Sequence, residues 1–562
     1  MRNRKAAIGQ VANNNFDVCV IGGGATGLGC ALDAQLRGLK TVVVEANDFA
    51  SGSSTASTKM VHGGVRYLEE AVNDLDINQY QLVEHALRER LLMLRSAPHL
   101  TRTVEFLVPC FSNFEKIYYG LGMKMYDWIA GKSSLLPSRL LTPEEALFRM
   151  PAMQAKNLVG AVAYADGQFD DARYAVALAE TFTRSGGEAL NYAKVTGFGR
   201  DVSGKLTSAI VTDPVSSATF DIRARVFINA TGAFSDAVRQ LASSDAAPRM
   251  RPSKGVHIML PLDGFSDKDA LLVPKTEDGR VIFAIPWNGR LLVGTTDTGY
   301  TPGEEMVVTR DEIEYLLRQI NPYLNSPLSA DHVVSGIAGV RPLVAAPGVV
   351  DTKKLIRDDE VEVDSATGLI SILGGKWTTH RLMGEETIDQ VQKYLGSAPS
   401  PSGTSEHLLA GALDYKWDYW QKLTNDFAIE AATAKHLSHK YGTLAPEVIA
   451  LTDSDPSLAL PLIQGVTAIR AQVVYAARNE MAMSVEDVLA RRIGLQLFSW
   501  RLAIQAAPTV ASLLRQELGW SAEQEQIAVE QYIAKVNHMI TTAGQAPEPV
   551  ASAKGELALE RN

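Results

Sequence analysis

The chain has 562 residues, more than one ordinary domain holds, and about 150 residues per domain predicts three or four units. Its 46% hydrophobic and 21% charged content is that of a globular protein, and no apolar run reaches the ~18 residues of a membrane span, which leaves only peripheral membrane contact. A net charge of -10, with no basic patch interleaved with aromatics, argues against a general affinity for nucleic acid.

Residues 1–15 are polar and lack the apolar core of a secretory signal, so a ragged tail is expected. Residues 17–21 are a short apolar run suited to a buried parallel strand, and Gly22, Gly24 and Gly27 then supply G-x-G-x-x-G ahead of an apolar helix. Gly22 permits the tight turn, Gly24 lets backbone approach a pyrophosphate, and Gly27 lets helix and strand pack closely, with phosphates facing the free N–H groups of the helix. A second strand at 41–44 ends at Glu45, whose carboxylate is placed to accept from ribose hydroxyls. Strand, glycines, helix, strand and acid in that order predict a dinucleotide-binding unit. The segment STKMVHGGVRYL follows directly.

Residues 75–100 read as helical, an aromatic segment comes next, and β/α patterning returns near Asn157. Residues 111–136 mix aromatic and aliphatic side chains with Lys116, Lys124 and Lys132, a composition that fits an interfacial membrane segment and a buried amphipathic element equally well. A strand at 224–229 runs into ATGAFSD, which holds Thr231 and Gly232, and one at 368–373 runs into GGKWTTHR, which holds Gly374, Gly375, Lys376 and Thr378. Both are strand-to-helix turns, so one nucleotide site is expected from three distant pieces. Between them SKGVHIMLPL alternates, and RVIFAIPW joins RLLVGTTD across Asn288-Gly289, predicting an antiparallel block that roofs the site. Residues 397–405 read as a Pro/Ser/Gly linker, 406–543 as helices and 544–562 as a disordered tail. Cys19, Cys30 and Cys110 have neither C-x-x-C nor metal-ligand spacing; buried small hydrophobes, no metal site and a reducing compartment are expected.

The opening block with HGGVRYL, then DGQFDDAR, NATGAFSD, KGVHI, GTTD, GVRPL and GGKWTTHR, in that order, resembles the FAD-dependent glycerol-3-phosphate dehydrogenases, bacterial aerobic and mitochondrial. The likeness runs into VVYAARNEMAMSVEDVLARR, and only the two tails fall outside it. The resulting picture is an α/β chain. A discontinuous Rossmann-like FAD-binding domain covers 16–245 and 335–396, with a helical and aromatic insertion near 71–150. An antiparallel β-sheet substrate (cap) domain covers 246–334, and an all-helical C-terminal domain covers 406–543. The activity implied is oxidation of sn-glycerol 3-phosphate to dihydroxyacetone phosphate, with hydride passing from C2 to flavin N5 and electrons going on to a membrane quinone. The implied location is peripheral, on the cytoplasmic face of a bacterial inner membrane; a homodimer is compatible with it.

Carried over residue by residue, the resemblance matches Arg66, Arg341 and Arg357 to the substrate-contacting arginines, and a guanidinium fork suits a phosphate dianion. Arg357 could instead pair with Asp358, Asp359 and Glu360, and Tyr67 could bond substrate or only pack. His257 matches the active-site histidine; on its residues alone it is equally a hydrogen-bonded core histidine. Lys376 joins the substrate set, and His257, Arg341 and Lys376 form the catalytic group. Flavin contacts fall to Gly22, Gly24, Gly27, Glu45, Ser54, Ser57, His62, Gly63, Thr231, Gly232, Gly374, Gly375, Lys376 and Thr378. The cation and helix N-terminus there would stabilise charge developing on reduced flavin. A glycerol-3-phosphate oxidase using oxygen shares every motif, although family oxidases often carry an insertion absent here. An amine or amino-acid oxidase should lack the cation set, because its substrates carry no phosphate.

Overall fold

The computed structural model describes residues 4–64, 77–345 and 359–548, so Arg66, Tyr67 and Arg357 lie outside the described residues. The first sheet is built on strand Asn15–Ile21, buried from Val18 onward because both of its faces are covered. It pairs in parallel with Thr41–Val44 on one side and Thr219–Asn229 on the other, and Ile370–Leu373 adds in parallel beyond. Helices Ala25–Leu36 and His380–Tyr394 cover one face together, and only glycine suits their crossing: a Cβ on Gly384 would lie 2.8 Å from the Gly29 carbonyl carbon.

The second sheet is mostly antiparallel. Strand Ser253–Pro261 lies between Arg290–Gly294 and Ser335–Arg341. Strand Ile282–Trp287 reaches Arg290–Gly294 through a two-residue turn with Asn288 at φ 48 and Gly289 at φ 77, the type I′ geometry that Asn-Gly selects.

This sheet corrects the expected domain limits. It continues through Ala270–Val273 to Thr101–Cys110 and Gly160–Phe169, and it includes Ser335–Arg341, so it is not confined to 246–334. The chain crosses between the sheets repeatedly, and the near-continuous burial of Gly160–Phe169 leaves no alternation to tell which sheet it joins. The polar tail is also corrected. Residues Arg4–Asn13 form a helix whose Ala7, Ile8 and Val11 pack on the first sheet, while Arg4 pairs with Asp213 at 3.0 Å. The expected linker is a strap held at the end of helix Ala25–Leu36: Arg37 donates to the Ser400 carbonyl at 2.7 Å, and Thr404 is buried. Of the tail, residues 544–548 are described, and the Glu548 N–H donates to Asn537 Oδ1 at 2.9 Å.

The C-terminal helices dock through a buried ionic seam. Arg491 and Arg492 both reach Asp48, with Arg492 Nη2 2.9 Å from Asp48 Oδ1. Burial raises the Asp48 pKa, but the two guanidinium charges outweigh it and hold the group at about 2. Asp48 follows Glu45 by three residues, so the far end of the chain braces the loop expected to hold ribose.

Candidate active site

Gly22–Gly27, Thr231–Gly232 and Gly374–Thr378 sit at the carboxyl ends of three neighbouring parallel strands, where an open α/β sheet binds its ligand. Gly22 takes φ 108 and passes so close to Ala230 that a Cβ would meet its carbonyl oxygen at 2.6 Å. A Cβ on Gly27 would lie 1.9 Å from the Gly22 oxygen. Helix Ala25–Leu36 starts at Gly24, which has no side chain to cap it, and turns the positive end of its dipole toward an anion. Glu45 closes the cradle: its oxygens accept from the Gly23 N–H at 2.7 Å and the Asn47 N–H at 2.9 Å, while burial raises its pKa. Ser54 Oγ accepts from the Ala25 N–H at 3.0 Å, on the rim of the same turn. The Thr231 hydroxyl donates to Asn229 at 2.7 Å, and Gly232 turns the chain at φ 58.

We expect a Gly27→Ala protein to be purified with little flavin, its FAD affinity lower by about 10²-fold or more, since overpacking costs ~1–3 kcal/mol and also shifts the phosphate cradle. Stoichiometric yellow protein at parental affinity would contradict this cradle.

The second half of the site lies where the sheets meet. The His62 N–H points at the Thr378 hydroxyl, 3.4 Å away, and His62 Nδ1 accepts from the Gly64 N–H at 3.0 Å. Burial, then the charges of Lys376 and Arg90, lower the His62 pKa to about 4, so the HGG loop and the GGK turn are electrostatic neighbours. The Gly63 N–H donates to Tyr126 Oη at 2.7 Å, and a Cβ on Gly375 would strike Met383 at 2.1 Å. Lys376 precedes the turn Trp377–Thr379, which opens helix His380–Tyr394, and Thr378 is buried in that turn.

His257 stands on strand Ser253–Pro261 between Gly294 and Ile337, and Phe283, next in that row, lies 6.5 Å from the His62 ring. Burial first, then the positive charges of Arg341 and Lys59, lower its pKa to about 3. Arg341 ends strand Ser335–Arg341, and its guanidinium lies against Gly255, where a Cβ would be 2.5 Å from Nη2. It donates to Thr295 Oγ1 at 3.0 Å and the Thr296 carbonyl at 2.9 Å, and pairs with Asp297 at 3.2 Å.

The Ser57 hydroxyl donates to Asp171 at 2.7 Å. Three further residues shape the site. Gly294 makes room for the His257 ring, Thr58 bonds it, and buried Asp171 ties down the loop between the two halves. Each stands inside a motif, Thr58 in STKMVHGGVRYL, Asp171 in DGQFDDAR and Gly294 in GTTD, but nothing in those motifs marks its contact with another segment.

A parallel dinucleotide sheet whose ligand edge faces an antiparallel sheet bearing a buried histidine and an arginine defines a flavin-dependent oxidoreductase. The family model described as FAD dependent oxidoreductase matches residues 17–390, and that described as the C-terminal domain of alpha-glycerophosphate oxidase matches 402–525. The chain is 38% identical over 540 residues to the mitochondrial glycerol-3-phosphate dehydrogenase of Mus musculus, covering 94% of this chain and 74% of that protein. It is 38% identical to the mitochondrial enzyme of Arabidopsis thaliana, covering 93% and 86%. The solved structure of the Bacillus halodurans glycerol-3-phosphate dehydrogenase complexed with FAD matches with TM-score 0.77 and 29% identity, over 98% of this chain and 99% of that one. The L-alpha-glycerophosphate oxidase of Mycoplasma pneumoniae shares the fold at TM-score 0.52 and 17% identity, over 70% and 98%. The chain belongs to the FAD-dependent glycerol-3-phosphate dehydrogenase family. Its uncapped helix start and glycine-lined cradle fit that cofactor.

Proposed function

We propose that this chain oxidises sn-glycerol 3-phosphate to dihydroxyacetone phosphate and delivers the electrons to a quinone at a membrane surface. The observation that carries this reading is the arrangement of His257 and Arg341 on adjacent antiparallel strands, with Val340, next to Arg341, in one apolar cluster with Ala233 beside the Thr231-Gly232 turn. Bound FAD supplies the two-electron acceptor for the C2 hydride. Arg341 grips the phosphate, with Arg66, Tyr67 and Arg357 as further substrate contacts, and Lys376 adds positive charge beside the flavin edge. Strand neighbours hold Arg341 in place before substrate arrives, so little ordering remains to be done on binding. His257 is neutral and screened from water, ready to take the hydroxyl proton.

The acceptor side rests on helix Asn113–Ala130. Its inner face buries Met123, Tyr126 and Ile129, while Phe114, Leu121 and Trp128 stand 77%, 65% and 74% exposed, joined by Ile117. Leu140, itself half exposed, extends the patch, packing at Gly120. Lys124 lies on the same helix with its side chain 60% exposed, suiting a lipid interface with anionic head groups. Among the described residues no helix is long and apolar enough to cross a membrane. Peripheral attachment on the cytoplasmic side of a bacterial inner membrane follows from this reading.

We expect a Leu121→Glu/Trp128→Glu protein to lose about 10²–10⁴-fold in affinity for vesicles of anionic phospholipid, because each side chain forfeits ~1.5–3 kcal/mol of apolar burial. Its flavin should still be reduced by glycerol 3-phosphate at the parental rate. Unchanged vesicle binding would refute this docking face, and reduction by glycerol as efficient as by glycerol 3-phosphate would refute the substrate.

A further inference from the structure

Loop 53–59 joins the two halves of the site, and Thr58 is its contact with the histidine. The Thr58 hydroxyl lies 2.9 Å from His257 Nε2, while Nδ1, buried with the rest of the ring, has no hydrogen-bond partner among the described residues. We propose that Thr58 is a positioning residue that holds His257 as the Nε2–H tautomer, leaving the Nδ1 lone pair as the acceptor of the substrate hydroxyl proton. This rests on the reading of His257 as the base.

Three observations support it. First, a neutral imidazole carries one N–H, and two placements are open to it. On Nδ1 the proton would be buried with no acceptor, at a cost of ~1–3 kcal/mol, whereas on Nε2 it donates to Thr58 Oγ1. An unpartnered lone pair is a lesser burden than an unpartnered N–H, and an unprotonated nitrogen is the one able to accept a proton.

Second, the ring is hemmed in. A Cβ on Gly294 would lie 2.1 Å from His257 Cδ2, so the imidazole lies flush on that backbone and cannot easily turn to exchange its nitrogens. Third, Thr58 is itself fixed. Asp171 accepts from the Ser57 N–H at 3.1 Å and the Ser57 hydroxyl at 2.7 Å, and it pairs with Lys59, whose ammonium also donates to the Thr55 carbonyl at 2.9 Å. Burial and the charges of Arg341 and Lys59 keep the ring neutral, so its tautomer decides which atom is basic.

In the reaction the substrate O–H bond breaks and its proton passes to Nδ1. The C2 hydrogen leaves with its electron pair to the flavin, and the C2–O bond becomes a carbonyl. The imidazolium so formed keeps its Nε2–H bond to Thr58.

The direct test is NMR of the holoenzyme labelled with [15N]histidine, with His257 assigned by the signals lost in His257→Gln protein. The expected result is a pyridine-like Nδ1 and a pyrrole-like Nε2; the reverse assignment overturns the proposal. Thr58→Val, similar in shape but without the hydroxyl, should bind FAD and glycerol 3-phosphate as the parent does yet reduce its flavin at least about tenfold more slowly, as expected when a histidine loses the group that fixes its tautomer. Thr58→Ser should return to within about threefold of the parent, since it restores the hydroxyl. A Thr58→Val protein reducing at the parental rate contradicts the proposal, and so does a Thr58→Ser protein as slow as Thr58→Val, which would mean methyl packing alone. If the valine variant loses flavin, Thr58→Ala is judged by the same criteria. Failure of the underlying reading looks different: His257→Gln would then reduce its flavin at the parental rate, whatever the tautomer in the NMR spectrum.

Discussion

Replacing Arg341 with alanine is expected to lower kcat/KM for glycerol 3-phosphate by about 10²–10³-fold, the ~2–4 kcal/mol carried by a charge-assisted bidentate phosphate contact, while flavin content stays at the parental level. The guanidinium is braced by Thr295, Thr296 and Asp297, none of which belongs to the glycine cradle, so flavin binding is expected to survive its removal. Its side chain is 28% exposed, so its removal costs the fold less than losing a buried ion would. Arg341→Lys should recover little, because an ammonium lacks the planar fork. Parental kcat/KM in Arg341→Ala would take the phosphate grip away from this residue. The variant also carries an electrostatic signature: with one of the two charges that disfavour the imidazolium gone, the His257 pKa should rise from about 3 toward its ordinary 6.5.

Removal of His257 is expected to slow flavin reduction by about 10²–10⁴-fold with modest change in substrate affinity, the range typical of a lost general base. Because the parental His257 stays neutral down to about pH 3, reduction should show no loss from this group between pH 8 and pH 5. An ordinary histidine would cost about tenfold per pH unit below 6.5. The same shift bears on stability. The folded pKa lies below the unfolded one, so the unfolded chain takes up the proton first as pH falls, and stability present above about pH 6.5 declines from there toward pH 3. The melting temperature of His257→Gln should therefore fall less steeply below pH 6.5 than that of the parent. A steep loss of parental activity between pH 7 and pH 5, absent in Arg341→Ala, would contradict the sign of this coupling.

The nucleotide half of the site is legible in the sequence because its information is local. Gly22, Gly24, Gly27 and Glu45 stand within one strand–helix–strand unit, and their spacing encodes backbone approach directly. The Asn288-Gly289 hairpin is legible for the same reason. Membership of the second sheet is not: Thr101–Cys110 and Gly160–Phe169 are apolar runs whose sheet is decided by pairings that span the chain. The N-terminal helix escapes notice because a single buried Val11 is too little pattern in a polar stretch. Thr58, Gly294 and Asp171 are harder still. Their roles come from contacts across 199, 37 and 114 positions, taking Thr58 to His257, Gly294 to His257 and Asp171 to Ser57, and no local rule predicts such contacts. Arg491 and Arg492 lie within a recognisable C-terminal motif, yet their reach to Asp48 appears only once the helical domain is seated beside the nucleotide loop.

The most direct test of the central claim is anaerobic stopped-flow spectroscopy of the yellow holoenzyme, first with substrate and then with acceptor. Glycerol 3-phosphate should bleach the flavin, glycerol and glycine should not, and a soluble quinone analogue should restore the colour faster than an equal concentration of oxygen. Flavin that stays oxidised with glycerol 3-phosphate would contradict the substrate assignment, and reoxidation faster by oxygen than by quinone would make the chain an oxidase.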